Sequence, residues 1–174
     1  MNKRIITVIG FTILAFITAA YFYLGGLNSV EYTVENVSDY NLVGVPYEGK
    51  AKSKVIEEAY FRAKDYLDEG TLSGTLILVH YNDSTLAEGN ERLFIGIKLD
   101  GGVSNLPADY QRITIPAQRA VRATIEAHNS VMPSPKKIEE NLKLKAEALN
   151  IALQDFTVEQ YISENLLIID MLAR

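Results

Sequence analysis

Cysteine is absent from the 174 residues, which excludes disulfides, thiol nucleophiles, thiolate metal sites and a lipidated cysteine anchor. Histidine is scarce too. His80 and His128 are the only two, and neither has a second histidine or a cysteine near it in sequence, so no metal centre is expected. No cofactor is expected either. Positive charge is in deficit: Lys3 and Arg4 are the only basic residues before residue 28, so the remainder carries 15 of the 17 basic residues against all 22 acidic ones, a net charge of −7. Binding to phosphate backbones requires clustered positive charge, and no nucleic-acid partner is expected. Low-complexity tracts and long polar tails are missing as well. The chain is 48% hydrophobic and 22% charged, values of a globular domain large enough to bury a core.

The one long apolar run is N-terminal. Residues 5–27 are uncharged and mostly apolar, enough at about 1.5 Å per helical residue to cross a hydrocarbon core of about 30 Å. Lys3 and Arg4 precede the run, and the first charges after it, Glu31, Glu35 and Asp39, are acidic. The positive-inside rule then predicts a cytoplasmic N-terminus and a domain on the far side of a single-pass membrane helix, in a periplasmic or extracellular location. Thr18-Ala19-Ala20 offers a signal-peptide cleavage site as the competing reading. The tyrosine-rich end Tyr21-Phe22-Tyr23 suits an interfacial belt and favours an uncleaved anchor.

After the anchor, Val30 to Val37 alternates apolar and polar residues as a half-buried strand does. Tyr40 to Tyr47 is a second extended segment whose Pro46 marks an edge or a turn. A helix is predicted over 54–68, from Ile56, Tyr60, Ala63 and Leu67 at helical spacing, with Ser53 as N-cap and Gly70 as terminator. Strands at 75–81 and 92–99 form a hairpin with a long polar connection. Residues 100–109, with Gly101-Gly102 and Pro107, read as a linker.

The series then restarts. Ile113 and Ile115 are extended, and Val121, Ala123 and Ile125 alternate with polar residues as a strand. Ser134-Pro135 opens a second helix, expected over 135–153. Strands at 157–162 and 166–171 close the chain. Two halves, about 29–100 and 109–174, thus share the order extended segment, helix, strand, strand. The expected fold is α+β: duplicated halves forming one antiparallel sheet with two helices on one face, plus the N-terminal transmembrane helix. The anchor occupies residues 1–28 and the domain 29–174. The sheet face opposite the helices is then free to be concave, and the seam between halves is the natural cleft.

Within strand 157–162, alternation puts Glu159 and Tyr161 on one face and Val158, Gln160 and Ile162 on the other. An acid and a phenol that look out together into a cleft suit a ligand, whereas in bulk water they are surface residues. Arg119 and Arg122 read as solvated edge charges. Asn36-Val37-Ser38 and Asn82-Asp83-Ser84 match the glycosylation triplet, a short pattern that recurs by chance.

Several short matches accompany the duplicated order. Leu78-Val79-His80-Tyr81-Asn82-Asp83, Arg92-Leu93-Phe94-Ile95-Gly96, Ile115-Pro116-Ala117 with Val121-Arg122-Ala123-Thr124, and Val158-Glu159-Gln160-Tyr161 together make residues 30–172 resemble the GyrI-like small-molecule-binding domain. The same domain serves as the effector-binding domain of AraC- and MerR-type regulators. His80 stands where the family has the first aromatic of a pair, and Ser84 where it has a proline. A membrane helix directly before such a domain is similar in layout to the testis-expressed endoplasmic-reticulum autophagy receptor family. No counterpart of that receptor's partner-binding tail follows up to Arg174, so an autophagy role is not carried over.

The resemblance implies a ligand cleft with Glu159 at its floor, paired with cationic or polar groups of bulky aromatic ligands. A carboxylate among rings gains most from a ligand cation, and rings add cation-π attraction. Burial is expected to raise its pKa. Tyr161 joins it as wall or rim. By the family match Tyr81, rather than His80, shares the cleft face, and Tyr47 is a further candidate from the matching segment of the first half. His80 reads as a packed or rim histidine. The leading function is a membrane-anchored, non-enzymatic module that binds a small apolar or cationic molecule. The alternatives are a hydrolase of the same fold, using Glu159 for acid–base chemistry, and a membrane-tethered protein-interaction domain with an unknown partner.

Overall fold

A computed structural model describes residues 3–103 and 105–174, with side chains described at all of these except 3–5, 8 and 129. Ser104, inside the expected linker, and the side chains of Lys3, Arg4 and Ile5 lie outside the described residues. Helix α1 runs Lys3–Tyr23. It stops short of the expected span because Gly25, at φ 79°, takes the left-handed conformation that ends a helix, and residues 24–27 form a turn. Among the described residues, no helix is long and apolar enough to cross a membrane. The chain after α1 is tied to the domain: His128 N–H donates to the Leu24 carbonyl at 2.9 Å, and Asn28 Nδ2 donates to the Glu126 carbonyl at 2.5 Å.

Helix α2 (Lys54–Asp68) begins where predicted, with the Ser53 hydroxyl accepting from Val55 N–H, and ends at Glu69 before a left-handed Gly70. Helix α3 (Pro135–Ala148) starts after Ser134 with proline in its first turn. It is shorter than the predicted 135–153. Asn150 turns left-handed at φ 54°, and Leu153 instead bridges to Ala173 beside the last strand. Asparagine tolerates that conformation through its short polar side chain.

Among the described residues, eight strands form one antiparallel sheet: β1 (Glu31–Asn36), β2 (Tyr40–Lys50), β3 (Gly74–Tyr81), β4 (Asn90–Leu99), β5 (Gln111–Ile115), β6 (Arg119–Glu126), β7 (Phe156–Ser163) and β8 (Leu166–Leu172). Their order is β1-β6-β8-β7-β3-β4-β2-β5. The halves β2-α2-β3-β4 and β6-α3-β7-β8 are therefore arranged symmetrically about the β3–β7 seam, as the repeated element order predicts. The edge strands are exchanged: β1 pairs with β6 of the second half, and β5 with β2 of the first.

This order forces the sheet to curl. β1 and β2 lie six strands apart, about 29 Å across a flat sheet at about 4.8 Å per strand, yet only residues 37–39 join them, a reach of about 15 Å. The segment from β5 to β6 imposes the same closure. Gly44 and Gly96 face each other in the curled region, where a Cβ on either would fall 2.2 Å and 2.0 Å from the carbonyl oxygens of Ile95 and Val43.

Both helices cover one face, as expected, α2 over Leu76, Ile97 and Val43, and α3 over Ala123, Ile125 and Ile169. The other face is not an open concavity. Curling packs it into a second core of Tyr40, Leu42, Ile77, Val79, Phe94 and Val158. The expected linker is likewise partly built in, since Val103 and Leu106 pack against the α2 cluster.

Candidate functional site

β7 carries Glu159 and Tyr161 on one face, as alternation requires, but that face is the one beneath the helices. Register decides it: Glu159 stands opposite Leu78 of β3 and Ile169 of β8, both of which belong to the helix-covered clusters. The placement opposite the helices is thereby corrected. The cleft lies beside them because the curled face fills itself.

Glu159 is only 8% exposed. Its Oε2 accepts the Tyr161 hydroxyl at 2.7 Å, and its Oε1 lies 3.6 Å from His80 Nε2. At that separation the His80 contact is an ion pair rather than a hydrogen bond. α2 brings Tyr60 edge-on to the Tyr161 ring, centroids 5.3 Å apart. Two cavities meet at the carboxylate. One of about 480 Å³ is mainly apolar, walled by Tyr60, Tyr161, Ile138, Leu167 and Ile169. The other, of about 530 Å³, is the more polar of the two, with His80, Asn82, Asp83, Arg92, Glu139 and Lys143 in its lining. Glu159, Pro135 and Ile169 border both.

Burial pushes the Glu159 carboxyl upward, but the ion pair with His80 and the Tyr161 hydroxyl outweigh it, and the group is held below its ordinary value. The expected upward shift is corrected for that reason. His80 feels burial in the opposite sense, and Glu159 outweighs it too, so the imidazole keeps its proton above its ordinary range. Burial and the neighbouring carboxylate raise the Tyr161 phenol, which stays a hydrogen-bond donor.

Of the other predicted site residues, Tyr81 does not share this face. Its ring packs on Phe156, centroids 5.8 Å apart, in the opposite core, although residue 81 borders the polar cavity. β3 places His80 there instead, because His80 shares its side with Leu78. Tyr47 lies on the helix-covered side, its ring against the cluster of Leu78, Leu93 and Ile95 and its hydroxyl donating to the Lys50 carbonyl at 2.9 Å. It lines neither cavity. Sequence reasoning missed Tyr60 and set His80 aside. The parity of His80 with Leu78 was the available signal for it, usable only with the β3–β7 register in hand.

A second buried polar cluster lies on the opposite face. Asp170, with no exposed surface, accepts two hydrogen bonds from Arg122, both at 2.8 Å, one from the Tyr40 hydroxyl at 2.6 Å and one from Gln160 at 2.7 Å. Lys98 donates to Gln160 at 2.9 Å and sits 4.3 Å from the Tyr40 ring centre. Arg122 is thus no solvated edge charge. Among the described residues, no group of three histidine, cysteine or acidic side chains could hold a metal.

No family model matches the sequence, and no curated protein matches it. Solved structures do. A complex of EcmrR with DNA matches at TM-score 0.63 and 14% identity over 99% of this chain and 72% of that one. The EcmrR C-terminal domain matches at 0.60 and 14% identity, covering 83% and 98%. The fold is the one these structures share, which supports the GyrI-like fold that the resemblance implied. SAV2435 bound to tetraphenylphosphonium matches at 0.52 and 13% identity over 83% and 94%, and a hydrolase from Listeria innocua at 0.55 and 9% over 83% and 92%. Identities this low carry the fold alone. These likenesses do not support the layout of the autophagy receptor family.

Proposed function

We propose that the domain binds a small aromatic molecule, cationic or polar, in the groove beneath α3, with Glu159 at its floor. The observation that carries this reading is a buried carboxylate that has, among the described residues, a single hydrogen-bond donor and one weak ion pair, standing where an apolar and a polar cavity meet. A carboxylate in that setting gains more from a ligand cation than from water, and the Tyr60 and Tyr161 rings add attraction for positive charge. SAV2435, of the same fold, has been solved with tetraphenylphosphonium, which supplies a first probe. In a thermal-shift titration at mildly alkaline pH, tetraphenylphosphonium should stabilise the wild type and stabilise Glu159→Gln far less. Equal shifts in both proteins would refute the assignment.

The same reading places the domain at a membrane through the uncharged run 5–27, which continues past the end of α1 at Tyr23. Its support is the uncharged run 5–27 and the exposure of apolar side chains along the helix, Phe11 at 70% and Phe16 at 75%. The bias of Lys3 and Arg4 puts the N-terminus in the cytoplasm and the domain outside it. A reporter fused after Arg174 that is active only in the cytoplasm would reverse that orientation, and release of the full chain from membranes by carbonate would remove the anchor.

A further inference from the structure

The two cavities approach the Glu159 carboxylate from different sides. The apolar one reaches it beside Tyr60 and Tyr161, and the polar one beside His80. Among the described residues, His80 is the only basic side chain within ion-pairing distance of Glu159. It does not line the apolar cavity, so a molecule seated there meets the carboxylate without displacing the imidazole.

Resting on the ligand site proposed above, we infer that His80 is a specificity-determining residue that sets the charge of the groove floor. As an imidazolium paired with Glu159 it leaves the floor neutral, suited to an uncharged aromatic molecule. As a neutral imidazole it leaves the carboxylate's charge to an aromatic cation.

The surroundings of His80 favour the proton without locking it in. Glu91 of β4 and Glu139 of α3 add negative potential at the imidazole, while burial opposes its charge. Glu139 is itself paired with Lys143 at 2.6 Å, and Asp83 is held by Arg92 at the rim, so neither is a free partner for His80. From α2, Tyr60 brings a phenol whose proton burial retains, hence no charge near neutrality. A cation delivered to Glu159 competes with the imidazolium for one carboxylate. By reciprocity, cation binding expels the His80 proton and the proton weakens the cation.

The test uses the full chain in detergent, titrated calorimetrically with tetraphenylphosphonium and with the neutral triphenylphosphine oxide, at about pH 5.5 and about pH 8, either side of the ordinary histidine range. The cation should bind more tightly at the higher pH, by up to about tenfold per pH unit across the titration, with up to one proton released per cation at the lower pH and none once His80 is already neutral. The phosphine oxide should show no such gain. In His80→Asn the cation affinity should become independent of pH, with His80→Gln as a second variant should the first fold poorly, while His128→Gln keeps the wild-type profile. Cation binding that depends on Glu159 but has the same pH profile in wild type and both His80 variants overturns this inference and leaves the site standing. Failure of both probes to bind at either pH overturns the site as well.

Discussion

Two buried carboxylates lie on opposite faces of the same sheet, on neighbouring strands near its centre. Asp170 and Glu159 each accept a tyrosine hydroxyl and each face a basic side chain, yet their surroundings assign them different work. Asp170 is saturated by four hydrogen bonds, two of them from one guanidinium, and is sealed from solvent. Glu159 has one donor and one imidazole 3.6 Å away, with cavities on both sides. Asp170 holds these bonds in a site with no opening for a ligand, so it ties the curled sheet together, joining β2 to β8 through Tyr40. An under-coordinated carboxylate retains capacity to bind. The contrast teaches that coordination, more than burial, separates a structural acid from a site acid.

The contrast breaks most sharply at Asp170. Asp170→Ala leaves the Arg122 guanidinium without its carboxylate, and a loss of about 3–5 kcal/mol is expected in denaturant unfolding. The isosteric change on the other face should be mild: Glu159→Gln keeps a partner for Tyr161 and lets His80 go neutral, for a stability change within about 1.5 kcal/mol. Its effect appears in binding, where affinity for tetraphenylphosphonium at mildly alkaline pH should fall at least about tenfold. Comparable destabilisation by the two variants would abolish the distinction.

Acidity offers a finer test. The raised His80 value contributes stability that is complete below the ordinary histidine pKa of about 6.5 and is lost as pH rises through the folded-state value. The lowered Glu159 value contributes stability present above the ordinary carboxylate pKa of about 4.3 and lost as pH falls through the folded-state value. The pair therefore stabilises most between those two ordinary values. Subtracting the Glu159→Gln unfolding profile from the wild-type profile should reveal a maximum in that window, and a flat difference would show that the ion pair does not form in solution. The smallest effect is expected from Tyr161→Phe, which removes the hydrogen bond that the Tyr161 hydroxyl donates to Glu159 and should cost about 1 kcal/mol by thermal unfolding.

Much of the fold was legible because the chain punctuates itself. Ser53 and Gly70 bracket α2, Ser134-Pro135 opens α3, and the repeated order of elements predicts the symmetric halves. The end of α3 was misjudged because Leu149 and Leu153 continue the apolar spacing. Asn150, a residue at home in a left-handed turn, was the contrary signal. Glu159 and Tyr161 were correctly placed together, since β7 alternates. Tyr81 was placed with them wrongly because β3, Leu76-Ile77-Leu78-Val79, is apolar on both sides and hides its phase. The Asp170 cluster carried a signal that was passed over: a lone acid in the apolar run Leu166 to Leu172 requires buried partners.

The amino-acid sequence by itself determined the elements, their duplication and which residues of each strand travel together, because these follow from local periodicity and capping. Only the tertiary structure decided which face of each strand meets the helices, which carboxylate is saturated and which stays available. Those outcomes depend on cross-strand register and on curling of the sheet, which join residues as distant as Tyr40 and Asp170 and leave no local trace in the chain.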